Sequence, residues 1–137
     1  MRRISVKDKR GLPELLKHLP MHDAVFTQIE YNKAEKKLWI TTQNPYEKAE
    51  TAMVFDGVWL LLSTDFHAQG DVWETLYGSD STISCLIAKD SDPSIEPLLH
   101  PCGQSMDDLL YLLFESLSGG KMHILCETFS AEVRQTE

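Results

Sequence analysis

Ser105-Met106-Asp107-Asp108-Leu109-Leu110-Tyr111-Leu112-Leu113-Phe114-Glu115-Ser116-Leu117-Ser118, followed by Gly119-Gly120, is the clearest single element of the chain. Ser105 is of the type that caps helix starts, and Asp107 and Asp108 fall in the first turn, where the helix dipole favours negative charge. Leu109, Leu110, Leu112, Leu113, Phe114 and Leu117 then cover much of a helix circumference, and the glycine pair suits a C-terminal cap. These signals predict a helix over 105–118. Fully buried, large apolar side chains contribute roughly 1.5 to 3 kcal/mol each, so the segment would supply on the order of 10 kcal/mol before conformational entropy is subtracted. It needs a sheet to lie on.

The segments upstream and downstream supply one. Ala24 to Tyr31 alternates loosely and Lys37 to Thr42 carries Leu38, Trp39 and Ile40 among threonines, which reads as two strands joined by the short polar loop 32–36. Asn44 to Glu50 is a second polar connection, and Thr51 to Phe55 is a third strand. Asp56-Gly57 then precedes a fourth strand, Val58 to Ser63. Asp-Gly between apolar runs favours a hairpin, the alternative being one long strand kinked by a glycine bulge at Gly57. Thr82 to Ala88 and Lys121 to Val133 are further strands. Near the N-terminus, Leu12, Leu15, Leu16 and Leu19 share one face of a short helix that Pro13 can start and Pro20 stops.

This order predicts an α+β domain: a mostly antiparallel sheet of five to six strands, with one main helix packed on a face and a short N-terminal helix. A length of 137 residues suits one domain, here 12–137, behind a basic flexible tail over 1–11. With 42% hydrophobic and 25% charged residues the chain is globular in composition, so a core and not disorder is expected. The formal charge of -8 repels phosphate backbones and anionic head groups, so neither a nucleic acid nor a membrane is an expected partner. Arg2, Arg3, Lys7, Lys9 and Arg10 concentrate positive charge in the tail and leave the remaining body more acidic still. Three cysteines without paired spacing exclude a disulfide scaffold, and no apolar segment follows the basic N-terminus, so the cytoplasm is the expected compartment.

Few residues invite chemistry. His22-Asp23 invites comparison with metal-dependent phosphohydrolases, but it sits between Pro20 and a strand, where side chains bonding local backbone N–H groups explain it. His67, His100, Cys102, His123 and Cys126 are further ligand types, although positions 123 and 126 on a strand point to opposite faces. The chain has no nucleophile elbow, P-loop, dinucleotide glycine pattern or H-E-x-x-H. No cofactor is expected. The irregular middle segment combines acids with aromatics, and Asp65, Phe66, Asp71, Trp73, Glu74 and Tyr77 form the expected interaction surface.

Met21-His22-Asp23-Ala24-Val25, Val54-Phe55-Asp56-Gly57-Val58 and Phe114-Glu115-Ser116-Leu117-Ser118-Gly119-Gly120 resemble small bacterial domains with a His-Asp start and a late F-E-x-L-S-G-G segment. Some of these are similar to immunity proteins of polymorphic toxins. The resemblance implies a protein partner and no catalytic residues.

The expectation is a non-enzymatic binding protein of immunity type, with a basic protein as partner. Its alternatives are a small metal-dependent hydrolase built on His22, Asp23 and His67, and a structural homo-oligomer.

Overall fold

In the computed structural model of the chain, the described residues are 2–6, 10–64, 83–89, 109–116 and 120–136. They form strands β1 (Arg2–Val6), β2 (Val25–Asn32), β3 (Lys37–Asn44), β4 (Ala49–Asp56), β5 (Leu60–Thr64), β6 (Ile83–Lys89), β7 (Leu110–Ser116), β8 (Lys121–Cys126) and β9 (Thr128–Gln135), with one helix, α1 (Leu12–Lys17). Two antiparallel sheets result, one in the order β1-β9-β4-β3-β2 and the other in the order β5-β8-β7-β6.

The predicted main helix is not there. Leu110–Ser116 is an inner strand of the four-stranded sheet, paired with β6 on one side and β8 on the other. Its apolar residues are consecutive because both of its faces are buried. Leu110, Leu112 and Phe114 enter the central core, while Leu109, Tyr111 and Leu113 enter a second cluster with Leu125 on the opposite face. A strand buried on two sides and a helix buried all round carry the same apolar run, so periodicity does not separate them. The α+β expectation is thereby corrected to a protein of two packed antiparallel sheets, in which the only helix among the described residues is six residues long.

The residues expected as a basic tail include β1, whose backbone pairs with β9 from Arg2↔Val133 to Val6↔Phe129. Asp56-Gly57 makes the kink and not the hairpin. Gly57 adopts φ +62, a conformation open to glycine at little cost, and β4 continues past it into β5 of the other sheet. Beside it, β8 bends at Glu127 into β9. The Glu127 N–H donates to the carbonyls of Asp56 (2.9 Å) and Gly57 (3.2 Å), and the Trp59 N–H donates to the Leu125 carbonyl at 2.8 Å. One pair of strands therefore carries both sheets round a shared corner, as in orthogonally packed sheets.

The far corner is also joined. The Asp23 N–H donates to the Ile83 carbonyl (2.9 Å) and the Ile83 N–H to that of Ala24 (2.7 Å), linking the start of β2 to the start of β6. Pairing consequently runs in a ring: β2, β3, the bent β4–β5, the bent β9–β8, β7, β6 and back to β2. The product is a flattened barrel with β1 attached beside β9.

Its interior is apolar. Phe26 meets Phe114 edge-on across the two sheets, with ring centroids 5.2 Å apart, and Phe55 meets Phe129 at 5.0 Å. Leu12, Leu15, Leu16 and Leu19 from α1 and its exit add to the same core, which is how so short a helix is held. The following segment is tied down by Asn44, whose Nδ2 donates to the carbonyls of Pro20 (3.1 Å) and His22 (2.9 Å). The Oδ1 of Asn44 accepts from the Tyr46 and Glu47 N–H groups, forming the β3–β4 turn.

Candidate interaction face

The two sheets differ in how their outer faces are used. On the four-stranded sheet, Tyr111, Leu113, His123 and Leu125 are all buried. On the five-stranded sheet, β3 and β4 alternate strictly between buried and accessible residues, so one face is core and the other meets solvent. The accessible face presents alternate side chains of β3 and β4 to solvent.

The strand register sets what that face looks like. Trp39, Val54 and Ser130 lie in one cross-strand row, and Thr41, Ala52 and Glu132 in the next. Ala52 is exposed and contributes only a methyl group, and Ser130 is short, so the sheet dips between the larger residues around them. A groove of about 290 Å³ occupies the dip, with Lys37 and Trp39 on the β3 side, Ala52 and Val54 as floor, and Ser130 and Glu132 on the β9 side. A smaller depression of about 130 Å³ continues it past Glu50 and Arg134.

Charge on this face is partly neutralised. The Lys37 ammonium lies 3.5 Å from the Asp56 carboxylate, and the Arg134 guanidinium 2.8 Å from that of Glu50. Such accessible pairs contribute at most about 1 kcal/mol each to stability, but they do engage both cations. Lys37 Nζ also lies 5.6 Å from the Trp39 ring centroid. Half-buried Glu132 has no ion-pair partner among the described residues.

At the nearby corner, Trp59 is 38% exposed, donates from Nε1 to Glu127 (3.4 Å) and lies under the Lys36 ammonium at 4.7 Å. These contacts fix the bend.

Of the residues singled out from sequence, Asp65, Phe66, Asp71, Trp73, Glu74 and Tyr77 lie outside the described residues, as do His67, His100 and Cys102. His22 and Asp23 are described and form a turn. Asp23 takes φ +68, its N–H holds Ile83, and its carboxylate lies 3.5 Å from an imidazole that is 75% exposed. The contact to Ile83 is made by the Asp23 backbone, whereas the sequence predicts side-chain bonds to local N–H groups. His123 and Cys126 diverge: His123 Nδ1 meets the Tyr111 hydroxyl at 2.5 Å, while Cys126 belongs to the central core. Among the described residues no three His, Cys, Asp or Glu side chains converge as a metal site would require.

Neither described thiol is poised to attack. Burial, then the charges of Asp56 and Glu127, push the Cys126 thiol up to about 12. Burial and Glu115 push the Cys85 thiol up as well. The reactive species is the thiolate, and these surroundings suppress it.

No protein-family model matches the chain, and no curated protein matches it as a relative. The resemblance to small bacterial domains thus rests on its short motifs. One of them, Val54–Val58, is the kinked corner, and another, Met21–Val25, is the turn into β2.

The sequence predicts the interaction surface in the acid and aromatic middle segment and does not single out Trp39, Ala52 and Glu132. Their signal was alternation: in Lys37–Asn44 and Ala49–Asp56 every second residue is accessible, and those residues share one face.

Proposed function

We propose that this chain is a non-catalytic binding protein that presents the outer face of its five-stranded sheet to a partner protein bearing basic side chains. The observation that carries this reading is the groove over Ala52, bounded by Trp39 and by the Glu132 carboxylate, which has no ion-pair partner among the described residues. A tryptophan beside a recess is the kind of side chain on which protein interfaces concentrate their binding energy. The net charge of -8 supports the same choice of partner, since complementary fields speed encounter and select against acidic competitors. An immunity-type role, in which this face occludes a basic enzyme's active site, is the narrower form of the proposal.

The test is co-purification of the full tagged chain from its own host, in parallel with Ala52→Arg, which fills the groove and reverses its charge. The expected result is a partner retained at low salt, released at high salt, and absent from the Ala52→Arg sample. A partner retained equally by both chains would place the contact elsewhere and refute the reading.

A further inference from the structure

The groove has a chemistry narrower than general attraction to positive charge. Lys37 and Arg134 are each occupied by a neighbouring carboxylate, which leaves Glu132 as the one carboxylate lining the groove without an ion-pair partner among the described residues. Across the floor stands Trp39, whose ring attracts cations and already draws the Lys37 ammonium to 5.6 Å from its centroid. Between them lies exposed Ala52, and no larger side chain fills the space. We propose that this groove receives one arginine side chain from the partner, its guanidinium bonded to Glu132 and its plane laid against Trp39; the inference rests on the binding reading above.

Three features select arginine. A carboxylate at one side and an indole at the other require a ligand that bonds through its edge and stacks through its plane, which guanidinium does and ammonium does not. A quaternary ammonium is usually enclosed by several aromatic rings, whereas this groove offers one. The groove is also open along the sheet towards Glu50 and Arg134, so a free small molecule would remain largely in water. An arginine anchored to a partner surface gains its remaining affinity from contacts on either side.

The probe is a blocked Gly-Gly-Arg-Gly-Gly peptide titrated into the full chain, followed through the Trp39 indole N–H resonance, which the Trp39→Phe spectrum assigns. A saturable shift is expected. It should be at least threefold weaker with lysine in place of arginine, and absent with uncharged citrulline. Glu132→Gln should weaken it at least tenfold while the rest of the spectrum stays in place. Equal shifts from the citrulline peptide, or full binding by Glu132→Gln, would overturn the proposal. The β1–β9 register sets Arg3 opposite Glu132, so binding seen only in an Arg3→Ala chain would also overturn it. In the co-purification, a partner lost by Ala52→Arg but kept by Glu132→Gln would refute the arginine site and leave the binding face standing.

Discussion

Gly57 is the residue on which the shared corner depends, and replacing it by alanine has a cost that follows from two measurable features. At φ +62 an L-residue with a Cβ is strained by roughly 1 to 2 kcal/mol. In addition, a Cβ there would lie 2.5 Å from Glu127 Oε2, 2.6 Å from its Cδ and 2.7 Å from its Cγ. Because the Cγ is included, Glu127 cannot yield by moving its carboxylate alone. It must leave its rotamer and release Trp59 Nε1, at about 0.5 to 1.5 kcal/mol. Gly57→Ala should therefore cost about 2 to 3 kcal/mol, read as a lower urea midpoint with an unchanged slope. In a Glu127→Ala background the same substitution should cost only the backbone share, about 1 to 2 kcal/mol. Gly57→Asn should be cheaper there than Gly57→Ala, since asparagine tolerates the left-handed region. A cost for Gly57→Ala below about 0.5 kcal/mol, or asparagine worse than alanine, would refute the positive-φ kink at this corner.

Other consequences are as direct. Leu112→Ala and Leu113→Ala should each cost about 2 to 5 kcal/mol in denaturant melts, because these neighbours fill separate clusters on the two faces of β7; a loss under 1 kcal/mol for either would mean that one face is open. Tyr111→Phe removes the hydroxyl bonded to His123 and should cost about 1 to 3 kcal/mol. A double-mutant cycle with His123→Phe should give a coupling of at least about 0.5 kcal/mol, and additive losses would count against the pair. The Cys126 thiol ionises near 9 when unfolded and about 12 when folded, so its contribution is complete below pH 9 and is lost as pH rises from 9 to 12. Stability should fall there by at most roughly 1.4 kcal/mol per pH unit, and Cys126→Val should flatten that fall.

Local chemistry in the sequence was legible where one feature had one meaning. Loop 32–36 gave a hairpin because Asn32 accepts from the Glu35 N–H and Lys36 takes φ +53 to turn the chain back. Pro13 and the leucine spacing gave α1. The strands of the five-stranded sheet were found, apart from β1, because one solvent-facing side leaves an alternating pattern. Arg2–Val6 alternates only over Arg3-Ile4-Ser5-Val6, beside a run of basic residues, and its pairing with β9 is a long-range event. Lys121 to Val133 was found as one strand, but its alternation fails at Glu127. Cys126 and Phe129 both face the core because the chain changes sheets between them.

Leu109–Phe114 shows the limit most sharply, and it also bears on where binding occurs. A strand with one accessible face must spend half its positions on polar residues, whereas β7 spends almost none. That composition reports burial on two sides, and it holds for β8 as well, where Met122 through Cys126 are all buried. The two inner strands of the four-stranded sheet have therefore committed both faces to packing. The five-stranded sheet has committed one, and its other face keeps Trp39, an exposed Ala52 and a Glu132 without an ion-pair partner among the described residues. A large half-buried indole above a bare methyl gains little for folding compared with a larger residue in place of Ala52, which would fill the dip and bury more apolar surface. An open groove of this kind, on the face that stability does not need, is the physical reason for placing recognition there.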